Sequence, residues 1–277
     1  WALGHLPRAG EEWAEAYRVA EEAGATREMC IAAANWSLVL IPAGDDSAGR
    51  SARGAVERSR ALGNPWVLGF ALTIHGLVTA VAGDAAAAEA DYLEAMRIQE
   101  GLGDHEAAGM SLSFLAALRA ASGDRPGALA LYRRALAGYE IIGDRGEEAR
   151  MHDEMAWTYL LNDDIAEARE HFVASVRAYT DLASVRGVAL CLIGLAATVA
   201  AEGRHADALQ IIAAAEVHAS GEGIAFSYAD HAPSREFVER QRAVLPAEDA
   251  ARAADAGRAL TLEQALDLAR IPVAAAP

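Results

Sequence analysis

The amino-acid sequence predicts an all-α repeat protein, a solenoid of helical hairpins with a C-terminal helical cap. Three observations support this prediction. A turn signal recurs about every 40 residues, 68 of the 277 residues are Ala, and small and large residues stand at fixed distances from each turn. Abundant Ala with few aromatic residues favours helices that pack closely against one another.

The turn signal is a Gly or Asp followed by a polar residue, and its successive copies are 40, 39, 40, 40 and 40 residues apart. The copies are Gly4-His5, Gly44-Asp45, Gly83-Asp84, Gly123-Asp124, Asp163-Asp164 and Gly203-Arg204. A second signal alternates with it, at Ala23-Gly24, Leu62-Gly63, Leu102-Gly103, Ile142-Gly143 and Leu182-Ala183. Because Gly tolerates the left-handed backbone that ends a helix and Asp caps the next one, each period predicts two helices.

Packing positions keep the same phase as the turns. Small residues stand five and twelve positions after the first residue of each turn signal. Large residues stand nine positions after it, at Trp13, Tyr92, Tyr132, Phe172 and Ile212. Arg53 is the exception, and the 39-residue spacing suggests a one-residue slip that puts Ala52 in its place.

The predicted elements follow from these turns. A first helix covers about 8–23. Hairpins follow at 26–41/47–62, 65–82/85–102, 105–121/125–142, 145–161/165–182 and 185–201/205–219. Gly221, Gly223 and Pro233 mark an irregular loop, after which helices are predicted at 234–245, 247–256 and 262–270, the last with a Thr261–Gln264 capping box.

This small–large–small pattern resembles the tetratricopeptide repeat (TPR) over about residues 4–220, although the usual TPR period is about 34 residues. The resemblance implies a right-handed superhelical solenoid that binds a protein, a peptide or a small effector in its concave groove and has no catalytic residues. In such arrays the first helix of each hairpin lines the groove. Transferring the family's groove positions to this sequence selects Phe70, Thr73, Leu77, Met110, Ser113, Ala117, Arg150, Asp153, Trp157, Leu190, Ile193 and Ala197.

Arg150, Asp153 and Trp157 form the most site-like trio of this set, because polar groups among apolar ones are typical of ligand sites. The alternative is that these residues only pack one hairpin against the next. His152, Asp153 and Glu154 form the densest polar cluster, interpreted as an exposed face or a helix–helix hydrogen bond, with a metal-binding or acid–base role as the alternative. The cluster of Arg50, Arg53, Arg58 and Arg60 on one helix is interpreted as a solvated face, with a patch that binds an anion or an acidic partner as the alternative.

A second resemblance lies in the C-terminal part. The run from Ala256 to Ala265, with Gly203-Arg204, Pro233 and Arg235 before it, resembles the segment that ends the TPR region of large bacterial STAND-type ATPases, among them LuxR-type and antibiotic-regulatory-type transcriptional regulators. The resemblance implies a repeat array at 1–220 and a cap and tail at 221–277. It also implies a sensor fragment of a larger regulator, with an attached ATPase domain as an intramolecular partner.

Composition excludes several other functions. All 24 basic residues are Arg and the net charge is −16, which disfavours contact with nucleic acid. Without Lys the chain has no Walker phosphate loop. No catalytic, metal-binding or cofactor-binding motif is found, so no cofactor is expected. Cys30 and Cys191 are expected to be buried free thiols of a cytoplasmic protein.

Residues 61–83 carry no charge, but interior Gly, Asn and Pro residues and the repeat phase argue against a membrane span. The sequence therefore predicts a non-enzymatic sensing domain of a bacterial transcriptional regulator. The alternatives are a general interaction or homodimerisation scaffold, or the regulatory region of a fused adenylate cyclase or kinase.

Overall fold

The computed structural model describes residues 6–41, 46–220 and 232–270. They form fourteen α-helices and no strand within these ranges. Residues 1–142 and 143–277 make up two compact units. The first unit contains α1 (Leu6–Glu22), α2 (Thr26–Leu40), α3 (Ser47–Leu62), α4 (Pro65–Val81), α5 (Ala85–Leu102), α6 (His105–Ala121) and α7 (Arg125–Ile142).

The second unit contains α8 (Arg145–Leu160), α9 (Ile165–Asp181), α10 (Val185–Ala201), α11 (His205–Ser220), α12 (Ala232–Arg242), α13 (Ala247–Arg258) and α14 (Leu262–Leu268). Every predicted helix is present, and the all-α fold of paired helices is confirmed. Pro233 lies in the first turn of α12 rather than in a loop, because Pro lacks only an N–H that this turn leaves unbonded. The turn signals at Gly4 and Gly44 and the loop residues Gly221 and Gly223 lie outside the described residues.

The turns have the backbone that the sequence predicts. Gly103 ends α5 with a φ of 69°, and the Asp104 side chain then accepts a hydrogen bond from the Ala107 amide, which caps α6. Asp163 and Ala183 occupy the same kind of turn with φ angles of 59° and 51°. A side chain in this left-handed conformation costs about 1–2 kcal/mol. The repeat geometry therefore persists where its Gly is missing.

Large side chains fill the spaces beside the small residues, as predicted. Tyr92, Tyr132, Phe172 and Ile212 are all buried, and Ala52 is buried in place of Arg53, so the one-residue slip is confirmed. The Tyr92 ring lies so close to Gly76 that a Cβ atom there would stand 2.7 Å from Cε1 of the ring. The small residues thus allow the helices of a hairpin to approach within ring contact.

The three C-terminal helices pack on α10 and α11 within the second unit. Gly257 of α13 lies directly against the backbone of Gln210, where any side chain would collide with it. Arg204 donates a hydrogen bond to the Leu268 carbonyl at 2.9 Å, which satisfies one of the free carbonyls at the end of α14. The Thr261–Gln264 capping box that begins α14 is confirmed.

Two further predictions concern single features. Cys30 and Cys191 are both buried free thiols, as expected. Among the described helices, none combines the length and the apolar character needed to cross a membrane, and α4 within the uncharged stretch has 17 residues.

Candidate functional site

An apolar cleft of about 430 Å³ lies on the first helices of three successive hairpins in the first unit, α2, α4 and α6. Three of the residues predicted for the groove line it: Phe70, Leu77 and Met110. They stand on one face of their helices, because residues four and seven positions apart share a face. The structure therefore brings these three predicted groove residues together in one cleft.

Five further residues line the same cleft: Asn35, Leu38, Ile41, Ile74 and Phe114. Ile74 follows Phe70 by four positions and Phe114 follows Met110 by four, so helical periodicity could have identified both. The α2 residues were missed because the positions were transferred only from the second hairpin onward. Among the described lining residues no side chain is charged, and their one polar group, the Asn35 amide, donates to the Ile31 carbonyl at 3.0 Å.

Thr73 and Ser113 lie outside this cleft and are buried. Thr73 Oγ1 stands 2.7 Å from Ser111 Oγ, and the buried Gln99 amide bonds to both hydroxyl groups. Gln99 belongs to α5, Thr73 to α4 and Ser111 to α6, so this polar cluster ties two hairpins together. Its role is therefore structural, because a buried amide requires hydrogen-bond partners.

Arg150, Asp153 and Trp157 lie along α8 in the second unit but do not form one accessible site. Arg150 is half-buried and pairs with Glu147 at 2.5 Å, whereas Asp153 and Trp157 are buried. Trp157 packs edge-on against Phe172, with ring centroids 5.5 Å apart, and also faces Phe237 of α12 at 6.3 Å. The trio is thus divided between the surface and the core.

Asp153 belongs to a buried polar cluster with Cys191 and Ser175. Cys191 Sγ stands 3.7 Å from Asp153 Oδ1 and 3.1 Å from Ser175 Oγ, and Ser175 donates to the Ala149 carbonyl at 2.7 Å. Burial raises the pKa of Asp153 to about 8, with a further increase from Glu154. Burial and the neighbouring Asp153 also raise the pKa of the Cys191 thiol. Both groups are therefore protonated at neutral pH, and the thiol is not activated as a nucleophile.

The remaining groove candidates occupy α10. Ile193 is fully buried in the core of the second unit and Leu190 is half-buried. The polar cluster at residues 152–154 contains the expected helix–helix hydrogen bond, since His152 Nδ1 stands 2.8 Å from His171 Nδ1 of α9. Within the described ranges, no three His, Cys, Asp or Glu side chains are grouped so that they could hold a metal ion.

Comparisons with known proteins agree with this architecture. None of the curated proteins matches this chain. The crystal structure of BtubC (BKLC) from P. vanneervenii is similar, with a TM-score of 0.64, 15% identity, and coverage of 87% of this chain and 94% of that one.

Two crystal structures of a putative kinesin light chain from Podosopora anserina, described as nearly identical TPR-like repeats, are also similar. Their TM-scores are 0.54 and 0.53, their identities 15% and 14%, and they cover 79% and 76% of this chain. The matches cover 98% and 92% of those chains. Residues 70–141 match the tetratricopeptide repeat family model. The chain therefore contains a TPR-like domain.

Proposed function

We propose that the chain is an interaction scaffold whose apolar cleft binds an apolar side chain of a protein or peptide partner. The observation that carries the proposal is the cleft itself. Phe70, Leu77 and Met110 are half-exposed and line a cleft of about 430 Å³ in which no described side chain carries a charge. Aromatic residues and Met are enriched at interaction surfaces, and a fully desolvated anchor supplies much of the binding free energy.

The chemistry of the cleft selects the partner. An uncharged lining cannot compensate the desolvation of a charged side chain, so a Leu, Met or Phe anchor is favoured over Lys or Glu. Burying such a side chain contributes about 1.5–3 kcal/mol. We expect one or two anchors of this kind, spaced to reach Phe70 and Met110 on neighbouring hairpins.

A peptide-display selection on the full chain tests this proposal. Met110→Glu would place a carboxylate in the cleft, and selected peptides should bind this variant at least about tenfold more weakly, which is about 1.4 kcal/mol. Ile141→Glu is the matched control, because Ile141 is 68% exposed in the same unit and does not line the cleft. Equal binding to the wild type and to Met110→Glu would contradict the proposal.

The narrower hypothesis, a sensing domain of a STAND-type transcriptional regulator, rests on the sequence resemblance between Ala256 and Ala265. In that context, binding in the cleft would favour one arrangement of the repeats and so change the activity of an attached ATPase. The resemblance is testable in the gene, where a phosphate-loop ATPase should be encoded in the same reading frame. A cyclase or kinase domain there would instead support a regulatory region of that enzyme.

A homodimerisation scaffold is the remaining alternative from the sequence. In that case the cleft would bind a second copy of the chain. Sedimentation would then show a wild-type dimer that Met110→Glu converts to a monomer, whereas Ile141→Glu would leave it dimeric.

A further inference from the structure

A second cleft, of about 520 Å³, lies between α3 and α4 in the first unit. It uses a different face of α4 from the apolar cleft, and its lining is polar as well as apolar. Arg53, His75 and Thr79 line it, together with Asp46 and Asp84. Its size falls within the range of small-molecule sites.

The cleft occurs where the repeat departs from its own pattern. In the next hairpin, Tyr92 stands at the large position and packs in a cluster with Leu115 of α6. In this hairpin the matching residue is Ala52, which packs with Val78 of α4 but fills much less space. The cleft thus lies beside the one large position of the described hairpins that carries an Ala.

His75 lines this cleft, and one of its two ring nitrogens has a fixed partner. Its Nδ1 stands 2.6 Å from Asp91 Oδ2, with both side chains largely buried. Because a carboxylate accepts here, Nδ1 carries a proton, and in the tautomer with this single proton Nε2 has a lone pair. Nε2 has no hydrogen-bond partner within the described part of the chain. Thr79 donates its own proton to the His75 carbonyl, so its hydroxyl is also restricted to accepting.

Arg53 supplies the cation of the described lining. It has no ion-pair or hydrogen-bond partner among the described residues. The two carboxylates of the lining have partners other than Arg53: Asp46 pairs with Arg50 at 3.3 Å, and Asp84 accepts from the Ala87 amide at 3.1 Å. The cleft therefore offers one guanidinium and one imidazole lone pair.

We propose that this cleft binds a small molecule that carries an anionic group, carboxylate or phosphate, next to a hydroxyl or N–H donor. The Arg53 guanidinium binds the anion, and His75 Nε2 accepts the hydrogen bond from the donor. Asp91 is a positioning residue, because it holds the imidazole in the tautomer that accepts. This site is independent of the apolar cleft and of the protein-interaction function proposed above.

Two-bond ¹H–¹⁵N spectra of the full chain labelled at His test the proposal, with His75→Gln identifying the His75 signals. The probes are glycolate, acetate and inorganic phosphate. Glycolate and inorganic phosphate should each shift the Nε2 resonance of His75 saturably. Acetate, which lacks the hydroxyl group, should bind at least about tenfold more weakly than glycolate. Phosphate binding tighter than glycolate would assign a phosphate ligand, and the reverse a carboxylate.

Arg53→Gln should weaken the binding of every probe by about tenfold or more, because it removes a charge-assisted contact. Arg60→Gln is the matched control, since Arg60 is exposed on the same helix and pairs with Glu94 at 2.6 Å. The proposal is overturned if no probe gives a saturable shift, if Arg53→Gln binds like the wild type, or if acetate and glycolate bind equally. Met110→Glu should leave glycolate binding unchanged, so failure of this site and failure of the apolar cleft are distinguishable.

Discussion

Replacing Asp153 by Asn should make the stability of the protein less dependent on pH. Asp153 is buried in the second unit, and burial raises the pKa of its carboxyl from 3.8 to about 8. Glu154 raises this pKa further, whereas Cys191 and Arg150 lower it. The folded protein therefore keeps a proton on Asp153 through the range in which the unfolded chain releases it.

The sign and size of the effect follow from proton linkage. Between about pH 4 and pH 8 the folded state binds one more proton than the unfolded state, so the free energy of unfolding falls by about 1.4 kcal/mol per pH unit. The stability from this group is complete below the unfolded pKa and is lost as pH rises toward the folded value. From pH 5 to pH 7 the loss is about 3 kcal/mol. Asn carries no such proton. The difference in the free energy of unfolding between Asp153→Asn and the wild type should therefore change by about 3 kcal/mol from pH 5 to pH 7.

Urea denaturation followed by circular dichroism at pH 5 and pH 7 measures this difference, and amide exchange at Leu192, buried in α10, reports on the second unit. All other side chains are the same in both proteins, so the comparison isolates the contribution of Asp153. Glu170→Gln, which removes an exposed carboxylate on α9, should show no such change. A difference between Asp153→Asn and wild type that is equal at both pH values would refute a neutral Asp153 in the folded protein.

Two further predictions concern backbone turns and ring contacts. Ala183→Gly should stabilise the protein by about 0.5–1 kcal/mol, because relief of the left-handed strain exceeds the entropy that Gly adds to the unfolded chain. Gly143→Ala, at a φ of 70° with open space around it, should destabilise by a similar amount, and thermal unfolding of both variants measures the pair. Gly194→Ala should destabilise by about 1–3 kcal/mol, since the added methyl group would collide with the Phe172 ring. Greater stability of Gly194→Ala, as helix propensity alone would give, would show that the ring moves aside freely.

The helices and their order were predictable because the signals that set them are local. In most repeats a Gly or its substitute follows one helix and an Asp, Asn or Ser precedes the next, so counting turns locates the repeat helices within about two residues. Asp163 and Ala183 lack the usual Gly, yet the spacing alone placed their turns correctly. The turn residues and the repeat spacing predict the same helix ends, and a sequence specifies one fold when such independent signals agree.

The groove positions were less predictable, because they depend on what covers a helix face. In the first unit Phe70, Leu77 and Met110 remain accessible in one cleft. In the second unit Phe237 of α12 packs against Trp157, so a position that offset counting assigns to the groove lies in the core. The packing of a C-terminal helix against α8 depends on contacts distant in sequence, and no spacing rule reports them.

The slip at Ala52 also matters for protein engineering. Designers of repeat proteins often treat hairpins as interchangeable parts whose stabilities add along the array. Grafting the sequence of α5 in place of α3 would restore the aromatic ring at the large position and bury more apolar surface. The same exchange would fill the 520 Å³ cleft between α3 and α4 and remove Arg53 from its edge. A consensus version of this protein would therefore gain stability, but it would lose the cleft beside Ala52 that distinguishes the first hairpin from the others.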